Sequence, residues 1–542
     1  MKKVIVPFLL IMLFGALAGA ASAEDFFAER EYIRIFTNDI TDRSVIANLG
    51  FAIDYVDLDA NWMAAWVPRE QLAKIQSLGF AVEVMDTKGT FPNTHDAYHD
   101  YQEQNQVLRE LATAKPEITD LFSIGQSVLG QEIWCLKISD NPLQDEVEEG
   151  AMVLVAMHHA REILTPEMAL HAATQLVEGY GLDEEVTAYV DNREIFVLPN
   201  LNPDGGEFDH HDGRFHMWRK NRRVNEGSQC RGVDLNRNYG YEWGGPGASA
   251  RPCDDTFRGA SAFSEPESAA FRDFIYAHEN ITTLVTLHTY SKLVLYPWGY
   301  KRGGIEDRIE FLTHKTMAEY MGGIMGYRPT QASNLYPTNG DTTDWSYGEL
   351  GITSFTWEMA PSRLNPAGFY PLPSTLEEEL PKGWNALRIM FAFSRVPSLI
   401  LATDPWKFAA TIGDDAVTIQ WATLLETNPK GYVLLRAEVN KGEFAPLHDG
   451  LIEPNQGEYS FVDDTVEAGV TYEYLLQFKG TNDNDVEFDP ISVAVPGDTT
   501  DDDTTDDDDD TADDDASDDD DDTDIVDGDG DDDDDNDDGC GC

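Results

Sequence analysis

The chain has 542 residues, a length that points to three or more segments and not to one ordinary core. Its formal net charge is -62, and removing the 27 Asp of residues 498–538 still leaves -35 on the remainder. An acidic balance of that size excludes nucleic acid as a partner and suits a soluble protein outside the cell.

Residues 1–23 read as a secretory signal: Lys2 and Lys3 precede an apolar run over 4–20, and Ala21-Ser22-Ala23 supplies the small-residue cleavage pattern. No later stretch is apolar for long enough to span a membrane, so an exported protein without a transmembrane segment is expected. Residues 24–92 alternate as strand (32–36), helix (42–49), strand (51–58), strand (63–67), helix (69–78) and strand (80–85), a small α+β unit ending in a polar connector at 87–92.

Residues 93–396 switch to apolar strands at 151–157, 195–198, 283–287 and 352–357, separated by amphipathic helices at 167–180, 266–278, 308–325 and 376–393. That alternation predicts an α/β domain with a mixed, mostly parallel sheet covered by helices on both faces. From 397 to 497 the period becomes two, over 416–421, 431–436 and 471–476, which predicts a β-sandwich. Trp421 and Tyr472-Glu473-Tyr474 resemble the pattern of fibronectin type III modules. Residues 498–542 are nearly all Asp with Thr, Ala, Ser and Gly and cannot bury a core, so disorder is expected. Asp527-Gly528-Asp529-Gly530-Asp531 resembles part of a calcium loop and implies weak Ca2+ binding without a defined site. Gly539-Cys540-Gly541-Cys542 closes the chain as a candidate surface anchor or as a strained Cys-x-Cys pair.

The residues with metal chemistry stand where the apolar runs stop. The run 151–157 leads into His158 and His159-Ala160-Arg161-Glu162, and the run 283–287 leads into His288. Two histidines and one glutamate form a ligand set that leaves zinc a fourth position for water, and sites in open α/β sheets form beyond the carboxyl ends of strands. His158 is expected to turn to the opposite side by strand alternation. His210, His211 and His216 read as a polar loop, and His278-Glu279 does not continue into H-E-x-x-H. No G-x-S-x-G elbow is present. Cys230 and Cys253 are the natural disulfide pair, flanking a loop rich in Gly and charge, whereas Cys135 lies in a predicted strand and reads as buried and unpaired.

His159-Ala160-Arg161-Glu162, Trp218-Arg219-Lys220, Asp234-Leu235-Asn236-Arg237-Asn238, Leu287-His288-Thr289-Tyr290, Tyr336, Asp344-Trp345-Ser346-Tyr347 and Phe355-Thr356-Trp357-Glu358 together resemble the secreted zinc metallocarboxypeptidases, in that family's order and near its spacing. The resemblance implies one Zn2+ held by His159, Glu162 and His288, with Asp234 orienting His159 and Glu358 as general base. It further implies Arg219 at the developing oxyanion, Asn236 and Arg237 on the terminal carboxylate of the substrate, and Tyr336 closing over it. Arg161 becomes an additional substrate contact, and Cys230–Cys253 matches a family disulfide.

By the same resemblance, Thr343, just before Asp344-Trp345, stands where the family lines the pocket for the C-terminal side chain, with Asp341 two residues earlier. A small neutral residue there implies broad specificity leaning to neutral and aromatic side chains. Ahead of a secreted hydrolase, the 24–92 unit is most simply a pro-segment, with Lys88 as a candidate cut site. Substrates would be peptides or proteins with free C-termini, acted on by a monomer. Two other readings are an amide hydrolase acting on cell-wall peptides or acylated amino acids, and an inert surface adhesion or scaffold protein. The intact set of candidate residues speaks against the last.

Overall fold

The computed structural model describes residues 29–496, apart from 88–96, 211–214, 362–367, 402–407 and short stretches within 414–489. The signal, most of the connector, His211, and the tail with Cys540, Cys542 and its calcium-loop resemblance therefore lie outside the described residues.

The N-terminal unit follows the predicted order. Strands β1 (Arg30–Phe36), β2 (Tyr55–Asp57), β3 (Trp62–Pro68) and β4 (Val82–Val84) form an antiparallel sheet in the order β2-β3-β1-β4, carrying helices Ile40–Ala47 and Arg69–Ser77. One element differs: the predicted strand 51–58 contracts to β2, and residues 51–54 leave the sheet as a loop. Its hydrophobic cluster, with Ile33, Ile35, Met63 and Ile75, continues into Leu293, Leu295 and Leu335 of the following domain.

That domain is built on eight strands: β5 (Thr119–Gln126), β6 (Glu132–Ile138), β7 (Gly150–Val155), β8 (Arg193–Leu198), β9 (Ile281–Thr289), β10 (Leu293–Tyr296), β11 (Arg328–Gln331) and β12 (Thr353–Met359). Their order is β11-β10-β12-β9-β7-β8-β6-β5, with β12, β9, β7 and β8 running parallel at the centre. Every residue of β7 is buried, as expected for a strand covered on both faces. Met152 and Leu154 enter one core while Ala151, Val153 and Val155 enter the other. Helices Leu164–Gly179, Arg308–Met325 and Ser374–Phe393 cover the first face, and Pro266–Ala277 covers the second. Local sequence sets their ends: the Asp307 side chain accepts the amides of Ile309 and Glu310, and Gly326, at φ 70°, closes the same helix in the left-handed conformation.

Cys230 and Cys253 are bonded, and Cys135 is buried with a free thiol. The C-terminal part has a three-stranded sheet (Ala409–Ile412, Val417–Ala422, Glu458–Asp463) and a second sheet led by Pro429–Glu438 and Thr471–Gly480. Trp421, Tyr432, Tyr459 and Tyr474 fill one cluster between them, with Trp421 and Tyr459 stacked at 5.0 Å. No helix of the described residues is long and apolar enough to cross a membrane.

Candidate active site

β7 and β9 are parallel neighbours, so their carboxyl ends open side by side. β9 carries His288 in its final turn of pleat, whereas β7 stops at Val155 and hands the chain to a tight bend. Met157 sits there at φ 58°, a left-handed value costly for a residue with a side chain, and its amide is held by the Thr165 hydroxyl at 3.2 Å. The bend brings His159 and Glu162 to face His288. His159 Nδ1 lies 2.8 Å from Glu162 Oε1 and 3.1 Å from His288 Nδ1, and His288 Nδ1 lies 3.0 Å from Glu162 Oε2.

Three lone-pair atoms thus converge in a buried space. These separations are slightly contracted from the roughly 3.3 Å that a tetrahedral zinc with ligand distances of about 2.0–2.1 Å would impose. The far ring nitrogens are separately engaged, His159 Nε2 by Asp234 Oδ1 at 3.1 Å and His288 Nε2 by Thr286 Oγ1 at 3.1 Å. The Asp234 carboxylate directs a proton to His159 Nε2 and the Thr286 hydroxyl can accept one from His288 Nε2, which leaves both Nδ1 atoms as donor atoms for a cation, so the residues fit zinc. Burial pushes the Glu162 carboxyl up, but His159 and His288 outweigh it and hold the group well below its ordinary range.

Around the trio, separate segments supply polar groups to one cavity lined by His159, Glu162, Arg219, Asn236, Arg237 and Glu358, among others. Asp234 starts a short helical turn, Leu235–Arg237, which delivers Asn236 and Arg237. Its second oxygen accepts Arg219 Nε at 3.0 Å, and burial of this carboxylate is outweighed by Arg219 and His159, which hold it well below the ordinary value. The Arg219 carbonyl accepts the Ala160 amide at 3.1 Å, tying the arginine loop to the ligand motif. Glu358 pairs in register with His288 across parallel strands β12 and β9. Thr356 and Glu358 alternate toward the cavity while Phe355, Trp357 and Met359 enter the core. Burial, then repulsion from Glu162, raises the Glu358 carboxyl to about 8 against the pull of Arg219 and Arg237. Thr343 also lines the cavity, its hydroxyl 2.6 Å from that of Thr356. Tyr336 and Asp341 complete this side.

A sequence profile described as zinc carboxypeptidase matches residues 104–386, just over half of the chain. The chain belongs to the zinc carboxypeptidase family. It is an exopeptidase by membership, a class that removes residues from a chain end. A zinc carboxypeptidase of Saccharothrix mutabilis subsp. capreolus is 36% identical over 340 residues, covering 60% of this chain and 77% of that protein. Mouse carboxypeptidase A2 is 35% identical over 269 residues, covering 48% of this chain and 62% of its own length. The carboxypeptidase A of Helicoverpa armigera shares the fold, with a TM-score of 0.58 at 23% identity over 68% of this chain and 97% of that one.

Three residues of this zinc carboxypeptidase have surroundings that the sequence did not show. His158 is not among the residues lining the cavity and faces Thr286, Tyr239 and Thr342 instead, a set of polar partners with no signal in the local sequence. It is fully buried and stacks on His288 at 5.4 Å. His216, read as part of a polar loop, is buried with its Nδ1 facing the Asp209 carbonyl at 3.1 Å. Arg161 is buried too: its guanidinium lies over the Phe369 ring at 3.9 Å and donates from Nη2 to Asp54 Oδ1 at 3.0 Å.

Asp54 belongs to the loop that replaced the predicted strand, and Ile53, Asp54, Tyr55 and Val56 line the cavity. Sequence reasoning missed this loop, since nothing in its periodicity marks it. The N-terminal unit is fastened at further points: Arg30 makes a two-pronged pair with Asp255 at 2.7 and 2.9 Å, and the Tyr32 and Tyr290 hydroxyls meet at 2.9 Å. Buried Arg43 donates to the Leu335 and Asn334 carbonyls at 2.7 and 3.0 Å, immediately before Tyr336.

Proposed function

We propose that His159, Glu162 and His288 hold the catalytic zinc and that the enzyme removes single residues from peptides and proteins with free C-termini. Bound there, zinc would polarise the scissile carbonyl and lower the pKa of a water toward about 7. Glu358 accepts the proton of the attacking water and delivers it to the leaving amine, a task its neighbouring strand position and raised basicity suit. Arg219, fixed by Asp234, faces the developing oxyanion as a charge already in place.

Asn236 and Arg237 receive the terminal carboxylate. Arg237 is braced for that by bonds from Nε to the Gly247 carbonyl and from Nη1 to the Asn236 carbonyl, at 3.0 and 2.6 Å. Tyr336 closes over the substrate. With the neutral Thr343 in the pocket, specificity is broad and leans to neutral and aromatic side chains. Asp341 lines the same cavity, but one of its oxygens accepts the Asp344 amide and the other the Thr338 hydroxyl, so cationic side chains are second choice.

The N-terminal unit acts as a pro-segment in this reading. It covers the cavity, and Asp54 occupies the Arg161 guanidinium that a substrate would otherwise meet. Asp54 Oδ2 and Arg161 Nε are buried without a hydrogen bond among the described residues, which makes this a contact easily given up. Secretion through residues 1–23, the domain limits 24–92, 93–396, 397–497 and 498–542, and a spacing or binding role for the sandwich belong to the same proposal.

The observation that carries it is the convergence of two imidazole Nδ1 atoms and a carboxylate beside Glu358, Arg219 and the Asn236–Arg237 turn. Glu358→Gln tests it: the variant should bind zinc as the parent does and lose about 10²–10⁴-fold in kcat. A variant with parental kcat would show that another group moves the proton.

A further inference from the structure

His158 is adjacent in sequence to a proposed zinc ligand and holds no metal itself, yet both of its ring nitrogens are committed. Its Nδ1 lies 3.2 Å from Thr286 Oγ1, and its Nε2 lies 2.8 Å from the Tyr239 hydroxyl and 2.9 Å from Thr342 Oγ1. Thr286 reaches His288 Nε2 at 3.1 Å on its other side, and Thr342 reaches Asn236 Oδ1 at 2.9 Å. We infer that His158 is a positioning residue that joins His288 and Asn236 into one hydrogen-bonded frame through Thr286 and Thr342, orienting the metal ligand and the carboxylate-gripping amide together. This rests on the roles proposed above for His288 and Asn236.

Counting protons gives the frame a single direction. A neutral His288 whose Nδ1 faces the trio carries its proton on Nε2, and Thr286 Oγ1 accepts it. The one hydroxyl proton of Thr286 then goes to His158 Nδ1, which places the His158 proton on Nε2. That proton passes to Thr342 Oγ1 directly, or to the Tyr239 hydroxyl, itself bonded to Thr342. The Thr342 hydroxyl donates to Asn236 Oδ1, and the Thr342 amide donates to the same oxygen at 2.9 Å. With Oδ1 doubly occupied, the Asn236 amide cannot flip, and its NH2 group, 3.4 Å from His288 Nε2, is the side that faces a substrate carboxylate.

His158, Thr286, Thr342 and Tyr239 are all 0% exposed, so no water can stand in for a missing link. A histidine filling space would need neither donor nor acceptor matched in this order.

The test compares Thr→Val, which keeps shape and removes the hydroxyl, with Thr→Ser, which keeps the hydroxyl and removes the methyl. Zinc affinity is measured on the full chain by competition with a colorimetric chelator. The kcat and KM for benzoyl-glycyl-phenylalanine are measured on the same protein nicked within 88–96. Thr286→Val should lower zinc affinity by about 10–100-fold, the usual cost of losing a ligand's outer partner, while Thr286→Ser stays within about threefold. Thr342→Val should keep its zinc and raise KM about tenfold with a smaller change in kcat, and Thr342→Ser should restore KM. His158→Leu should show both defects. If it does not fold, the Val and Ser pairs decide the matter.

Val variants that match the parent, or Ser variants that are the impaired ones, would overturn the frame and leave only packing. Failure of the parent chain itself to bind zinc would instead refute the ligand assignment.

Discussion

Replacing Arg30 by Met should unfasten the N-terminal unit. Arg30 and Asp255 face each other with two hydrogen bonds at 2.7 and 2.9 Å, and their side chains are 15% and 19% exposed. Met keeps much of the side-chain volume but takes both guanidinium bonds from the Asp255 carboxylate and leaves it the Ala52 amide at 3.3 Å. Stranding one member of a fully buried pair costs about 3–5 kcal/mol, and the partial exposure here reduces that to about 2–3 kcal/mol. At about 1.4 kcal/mol per factor of ten, the covered state loses about 30–150-fold in its equilibrium with the open one. The assay is the initial rate of the uncut chain on a small free-acid peptide, referred to the rate after nicking within 88–96. The parent should be slow before the cut, and Arg30→Met should raise the uncut rate by that factor up to the ceiling of the nicked enzyme. A parent equally fast before and after the cut, or a variant with an unchanged uncut rate, would refute the argument that this unit inhibits by docking.

Docking of the nicked segment, followed by fluorescence from pH 3 to 8, should be tightest near pH 4. Burial alone would raise the Asp255 carboxyl, but Arg30 holds it below its ordinary 3.8, so its contribution is present above that value and is lost as pH falls further. Burial raises Asp54 from 3.8 to about 6, so the docked state favours its protonated form and weakens as pH rises through that interval. Affinity rising steadily across the range would contradict the Asp54 assignment, and affinity undiminished from pH 4 down to pH 3 would contradict the Asp255 one. Cys230→Ser with Cys253→Ser should lower stability by about 3 kcal/mol, the chain-entropy value for a separation of 23 residues, read as a drop in denaturant midpoint. Asp341→Asn should reduce kcat/KM about tenfold for peptides ending in Lys or Arg and leave those ending in Phe within about twofold. An equal loss on both would assign Asp341 to folding of the helix Thr342–Leu350, whose first turn it caps through the Asp344 amide.

Much of this site was legible because strands buried on both faces leave uninterrupted apolar runs, and such runs end where ligands begin. β7 and β9 announce themselves in this way, whereas Glu358 was readable by family pattern at the end of an apolar run. The carboxylate-gripping turn was readable by family pattern, since Asp234, Asn236 and Arg237 have no periodic signal of their own. What could not be read depended on a backbone dihedral or on contacts between distant segments. The left-handed Met157 and the polar partners of His158 on distant segments carry no sequence signal. The loop at 51–54 meets Asp255 through the Ala52 amide and Arg161 through Asp54, partners more than a hundred residues away that its own sequence does not announce. Arg30–Asp255 and Arg43–Leu335 are likewise joined by the fold alone.

The measurement that bears most directly on the central claim uses matched peptides with free and amidated C-termini, incubated with the nicked enzyme and followed by mass spectrometry, with and without a zinc chelator. The account predicts stepwise loss of single residues from the free acids, none from the amides, and complete arrest by chelator that added zinc reverses. Cleavage of the amides at the same rate, or cleavage within the chain, would contradict the assignment of Asn236 and Arg237 as the grip on a terminal carboxylate.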